Sequence, residues 1–205
     1  EQGYVDAKEM ASVAAFGLGV KPEEVLVFST GVIGVELPMT LIRKGVDEIE
    51  LKDNGGNALA RSMMTTDTRT KEAAVTVDVG GTEVNISGVA KGSGMIHPNM
   101  ATMLCFVATD AAVEQDYLRA ILPDIADSTL NMLDIDGDTS TNDSLVVLAN
   151  GVAGNAALSA GSPDADSFRD GLMEVLVQLT RQLAQDGEGA TTLVVAEVEG
   201  AKDVA

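Results

Sequence analysis

The chemically capable residues of this chain concentrate between Lys91 and Cys105. A lysine stands in a glycine-rich approach, the chain's one histidine follows at position 97, an Ala101-Thr102 step opens an apolar run, and the one cysteine lies inside that run at position 105. A second group, Asp134, Asp136 and Asp138, places carboxylates at alternate positions of a loop. His97 has no second histidine and no cysteine at ligand spacing, so a hydrogen-bonded or exposed side chain is expected of it rather than a metal ligand, and a Ser-His-Asp triad would have to run through it. Cys105 has no basic neighbour in sequence to lower its pKa and is expected to pack, not to attack. The acidic triplet suggests calcium, but the sixth and twelfth positions of an EF-hand loop, glycine and glutamate in the template, are Thr139 and Leu145 here. The segment DIDGDTSTND therefore reads as a turn whose Asp, Ser, Thr and Asn side chains bond nearby backbone.

With histidine and cysteine chemistry poorly supported, a hydroxyl nucleophile needs another base. A threonine that is the first residue of a chain carries one, because a free α-amine with a pKa of about 7.7 to 8.0 is substantially neutral near physiological pH. Thr102 is internal and would qualify only after scission of the Ala101-Thr102 bond. Its own hydroxyl could perform that step by attacking the preceding carbonyl, shifting the acyl group from nitrogen to oxygen and leaving an ester for water. Spacing alone favours the plainer reading, a polar residue at the start of a strand.

The elements that must position these residues follow from periodicity. Asp6 to Leu18, Leu37 to Val46 and Asn57 to Met64 have helical spacing, and Glu24 to Ser29 reads as a short buried strand running into Thr30-Gly31. Ala73 to Val79 and Glu83 to Val89 alternate with period two around Gly80-Gly81, a hairpin signature. Met103 to Ala108 is an apolar strand, Val113 to Leu133 has helical spacing with Pro123 as a kink, and Leu145 to Ala149 is another buried strand. From Asp166 onward Phe168, Leu172, Val175, Leu176, Leu179 and Leu183 fall at steps of three and four along one helix face, which Gly187 ends. Thr192 to Val198 reads as a closing strand. Hairpins mixed with helices give a layered α+β class, and no linker, repeat or low-complexity segment divides the chain.

Composition narrows the function. The chain has 205 residues, 45% of them hydrophobic, which is enough for a real core. Thirteen basic against 32 acidic residues give a net charge of -19, whose field repels nucleic acid and anionic membranes and is expected to mark a solvated surface. A lone cysteine, no signal peptide and no membrane-spanning run point to a cytoplasmic protein.

Five motifs carry a resemblance. The run GVAKGSGMIHPNMATMLCFVATDA, Gly88 to Ala111, closely resembles the processing segment of the bifunctional ornithine acetyltransferase family, the glutamate N-acetyltransferases of arginine biosynthesis. STGVIG (Ser29 to Gly34), MTTDT (Met64 to Thr68), LDIDGDTSTND (Leu133 to Asp143) and DGEGATT (Asp186 to Thr192) continue it in family order over nearly the whole chain. The resemblance implies an N-terminal-nucleophile-like enzyme with a layered αββα sandwich, cut from a precursor between Ala101 and Thr102. Residues 1–101 would be the end of the α-segment and 102–205 the start of the β-segment of one incomplete catalytic domain. In such enzymes the new N-terminal threonine takes acetyl from N-acetylornithine, releases ornithine and passes the acetyl to glutamate. No cofactor is implied, although some members accept acetyl-CoA as donor, and the α and β segments would assemble as a heterotetramer.

Matched position by position, Thr30 and Gly31 correspond to the family's oxyanion-hole pair, and Thr65, Lys91, Thr102 and Glu188 to residues that bind the amino-acid substrate. The residue types suit these roles. A Thr-Gly step after a strand can offer a hydroxyl and backbone N–H groups to a developing oxyanion, a flexible lysine among glycines can meet a carboxylate, and a glutamate in a helix-ending turn can meet an ammonium. Without the resemblance the same residues read as a tight turn, a solvated lysine and a surface glutamate. The chain also lacks the family's N-terminal portion and its C-terminal DPNWGR-like motif, so these 205 residues are expected to be inactive alone. His97 replaces a residue that is often alanine in the motif. Two rival functions stand beside acetyl transfer: an amide hydrolase or aminopeptidase of the same architecture, and a non-catalytic acidic module binding calcium through Asp134, Asp136 and Asp138.

Overall fold

The computed structural model describes residues 2–97 and 103–200, so Ala101 and Thr102 lie outside the described residues. The chain forms two compact units, Glu1–Gly55 and Gly56–Ala205. The first is helical. Helix α1 (Gln2–Leu18) ends where Gly19 takes a left-handed φ of 70° and the Val20 N–H reaches back to the Ala15 carbonyl at 3.1 Å, a glycine-stopped helix end. Helix α2 (Met39–Glu48) is tied to it by Arg43, whose guanidinium donates twice to Glu9.

The expected strand over residues 24–29 does not form. A 3-10 turn at Pro22–Glu24 leads into irregular backbone, and Leu26 stays exposed. A strand needs a neighbour to take its N–H and C=O groups, and the described elements of this unit are all helical.

In the second unit α3 (Gly56–Ser62) precedes a mixed four-stranded sheet, and the chain is α+β. β1 (Lys71–Val79) and β2 (Thr82–Lys91) form the hairpin, with Gly80 and Gly81 both at positive φ, as a twisted two-residue turn demands. β3 (Leu104–Thr109) is antiparallel to β2, and β4 (Ser144–Ala149) is parallel to β3, giving the order β1-β2-β3-β4. The parallel pair is joined through α4 (Gln115–Asp127), which runs through Pro123. Helical spacing continues to Leu133, but α4 stops early because the Ser128 and Thr129 hydroxyls bond the Asp124 and Ile125 carbonyls, and a separate 3-10 turn follows at Leu130–Met132.

Helix α5 (Ala165–Gln185) covers one face of the sheet. The six apolar residues of its predicted stripe are all fully buried, and they supply the largest share of the core. Two further strand readings are corrected, the burial of one and the existence of the other. β4 is an edge strand, half-buried at its start and exposed at Leu148. Residues 192–198 form no strand, and Val194 and Val195 are 80% and 77% exposed, because that apolar run finds no strand beside it among the described residues.

The sheet and α5 approach closely at Gly88. A Cβ there would sit 3.0 Å from Leu179 Cδ1, 3.1 Å from Val107 Cγ2 and 3.2 Å from Val175 Cγ1. Gly88→Val therefore overpacks the core in spite of valine's strand preference, and chemical denaturation should show a loss of about 1–3 kcal/mol.

Candidate active site

The site is built around a buried ammonium. Lys71, the first residue of β1, is wholly inaccessible, and its Nζ donates at 2.6 Å to Asp67 Oδ1 and at 2.6 Å to Asp186 Oδ2. Asp67 lies in the loop after α3 and Asp186 caps the C-terminus of α5. Each carboxylate is further satisfied. Asp67 accepts the Gly92 N–H at 2.7 Å and the Thr65 N–H at 3.0 Å, and Asp186 accepts the Thr68 N–H at 3.0 Å and the Thr68 hydroxyl. Charges taken out of water persist only with such partners. Burial pushes both aspartates up, but these donors outweigh it: Asp67 is held below the ordinary carboxylate range, and Asp186 down to about 2.

Lys91 stands beside this network. It is the last residue of β2, only 2% exposed, and its Nζ donates to Thr65 Oγ1 at 2.9 Å. The lysine read as a flexible cation among glycines is thus held in the structure. Burial lowers its pKa, Asp67 and Asp143 oppose that shift, and Lys71 reinforces it. Asp143 accepts the Met103 N–H, the backbone donor directly after Thr102; burial raises its pKa, against the pull of that bond and of Lys91. Its Oδ2 is buried and has no hydrogen-bond partner among the described residues.

Downstream of Lys91, Ser93 joins two more segments. Its hydroxyl is 2.6 Å from Thr66 Oγ1, and its carbonyl accepts the Glu188 N–H at 2.6 Å. The Glu188 carboxylate lies so close to Gly94 that a Cβ there would meet Oε2 at 2.9 Å. The sequence-named residues Thr65, Lys91 and Glu188 are therefore gathered along one stretch, residues 91–94. Thr30 and Gly31 lie in the other unit, exposed and in irregular backbone.

The acidic loop has a structural task. Asp136 accepts the Met95, Ile96 and Asp138 N–H groups at 2.5, 3.0 and 3.2 Å, and Asp134 accepts the Gly137 N–H at 3.1 Å. These bonds hold Met95 at a φ of 54°, uncommon for a residue with a side chain. His97 Nδ1 is 3.2 Å from Asp134 Oδ1. Among the described residues no group of three or more His, Cys, Asp or Glu side chains is arranged to hold a metal ion. Cys105 is sealed in the core, which pushes its thiol up to about 12. Among the described residues no helix is long and apolar enough to cross a membrane.

Sequence reasoning missed Lys71, Asp67, Asp143 and Asp186. Three of these are aspartates inside motifs already singled out, MTTDT, LDIDGDTSTND and DGEGATT, where their presence in a shared motif was the available signal. Lys71 had none.

Comparison with known proteins agrees with the motifs. The chain is a member of a family of proteins defined by one continuous profile: the model described as the ArgJ family matches residues 1–205. This chain belongs to the ArgJ family. It is 52% identical over 203 residues to the arginine biosynthesis bifunctional protein ArgJ of Symbiobacterium thermophilum, covering 98% of this chain and 50% of that protein. It is 46% identical over 203 residues to the protein of the same name from Bacillus subtilis, covering 99% and 50%. The chain thus spans about half the length of these curated relatives. The crystal structure of the Bacillus halodurans arginine biosynthesis bifunctional protein aligns with 49% of this chain and 54% of that one at 42% identity, with a TM-score of 0.47.

Two outcomes follow. The depressed Asp186 contributes stability that is present above its unfolded-state pKa near 4 and is lost as pH falls toward about 2. Asp186→Asn should therefore cost on the order of 2 kcal/mol at neutral pH, with the difference from wild type shrinking across that acid window in denaturation curves. Cys105 should resist alkylation at pH 8 in the native protein and react once it is unfolded, as read by intact mass.

Proposed function

We propose that this chain is the central part of a self-processing N-acetyltransferase of arginine biosynthesis, which moves acetyl from N-acetylornithine to glutamate with Thr102 as nucleophile. The observation that carries this reading is the pairing of a buried cation with an acidic group beside one stretch of chain. Lys91 bonds Thr65, and Glu188 is bound to Ser93 two residues on. A cation and a carboxylate so placed suit the carboxylate and ammonium of an amino-acid substrate, which glutamate, ornithine and N-acetylornithine share in part. Membership in the ArgJ family and the names of its relatives support the same reading.

In this mechanism Thr102 Oγ first attacks the Ala101 carbonyl, the peptide C–N bond breaks as the ester forms, and water releases the Ala101 carboxylate from the Thr102 hydroxyl. The freed α-amine then takes the hydroxyl proton while Oγ attacks the acetyl carbonyl of N-acetylornithine. Thr30 and Gly31 donate to the tetrahedral oxyanion. The C–N bond breaks, ornithine leaves with the proton, and the acetyl group stays on Thr102. Neutral glutamate amine attacks that ester, N-acetylglutamate departs, and the proton returns to Oγ. Lys91 and Thr65 hold the substrate carboxylate, and Glu188 the ammonium.

The finer architecture is a layered αββα sandwich of the N-terminal-nucleophile type, supported by one helical layer on one sheet and by the β-prone run 192–198 that has no strand beside it among the described residues. The α-segment ending at residue 101 and the β-segment starting at 102 form a cytoplasmic heterotetramer that needs no cofactor, with acetyl-CoA as an alternative donor. Amide hydrolysis by the same machinery, with water replacing glutamate, is the rival reading, and comparing acetyl transfer with simple deacetylation separates the two.

In the whole protein Thr102→Ala should give one uncut chain on a denaturing gel and no transfer. Thr102→Ser should keep part of the processing, because the attacking group is retained. Two chains from the alanine variant would contradict scission by this hydroxyl.

A further inference from the structure

The ion network around Lys71 touches no substrate in the mechanism above, yet it is the most deeply buried set of charges among the described residues. A purely stabilising role accounts poorly for it, since buried ion pairs are commonly no better than apolar side chains of similar volume. What it does is join segments. Asp67 holds the Thr65 N–H and the Gly92 N–H, the backbone on which Thr65 and Lys91 are mounted. Asp186 holds Thr68 and stands two residues before Glu188, whose own N–H is bound by Ser93. Lys71 links the two carboxylates.

We propose that Lys71 and Asp67 are positioning residues for the amino-acid subsite, fixing Thr65, Lys91 and, through Asp186, the turn that carries Glu188. The inference rests on the assignment of those three residues to the substrate. It also makes an electrostatic statement that a merely structural role would not. The charged groups that face Lys91 are Asp67 in the loop after α3, Lys71 on β1 and Asp143 before β4. Asp67 favours the charged form of Lys91 and Lys71 disfavours it. Removing one or the other must therefore move the Lys91 titration in opposite directions, even though both substitutions damage the same network.

The test uses the whole processed enzyme with 13C-labelled lysine. The Lys91 resonance is assigned through Lys91→Arg, and its titration is followed by NMR in wild type, Asp67→Asn and Lys71→Met, alongside steady-state acetyl transfer. The midpoint should fall in Asp67→Asn and rise in Lys71→Met. In both variants KM for glutamate should increase about 10-fold, the worth of a charge-assisted hydrogen bond, with kcat changed much less. Where Lys71→Met alone does not fold, the double variant Lys71→Met/Asp186→Asn removes one charge of each sign and keeps the expected upward shift. Midpoints that move together or stay fixed, or an unchanged KM, in an enzyme that transfers acetyl overturn the positioning role alone. A wild-type enzyme that transfers no acetyl to glutamate overturns the functional reading and the subsite with it.

Discussion

The site depends on one ammonium removed from water. Isolated, such a charge costs several kcal/mol, so the arrangement exists only because Lys71 meets two carboxylates and each carboxylate meets further donors. The requirement is geometric. Lys71 and Asp186 are 115 residues apart in sequence, and their contact forms only when α5 is docked along the sheet with its C-terminus beside the start of β1. The apolar stripe of α5 supplies that docking, and Gly88 lets the helix come close. Hydrophobic burial thus sets the position, and the ion network fixes the loops that hang from it.

Sheet topology does the rest. β2 leaves the sheet at the end where β3 and β4 begin, and the register pairs Lys91 with Leu104 and Leu104 with Ser144. Residues just outside those pairs, Met103 and Asp143, therefore fall beside Lys91. This is why a carboxylate from a loop 40 residues downstream accepts the N–H of the residue after Thr102. The parallel pairing of β3 and β4 is needed for this, since an antiparallel β4 would carry Asp143 to the opposite end.

Much of this fold was legible in the sequence wherever the signal was local. The β1–β2 hairpin follows from period-two alternation around Gly80-Gly81, and α5 from its stripe of six apolar residues. The failures share a cause. Residues 24–29 and 192–198 have strand composition, but a strand is a relation between segments, and composition cannot say whether a partner is present. Thr65, Lys91 and Glu188 were legible through motifs, and the structure brings them to one stretch. That Lys91 is buried was not, because the glycines after it suggested exposure while its place at the end of β2 decided otherwise. Lys71 was invisible: a lysine at the head of a strand is ordinarily solvated, and only the fold supplies the two aspartates that make its burial tolerable.

The account turns on the conversion of an internal threonine into a chain end, whose amine can then serve its own hydroxyl. Intact mass of the mature whole protein tests this most directly. The account predicts two polypeptides, one ending at Ala101 and one beginning at Thr102. A single unbroken chain with full acetyl transfer would contradict it.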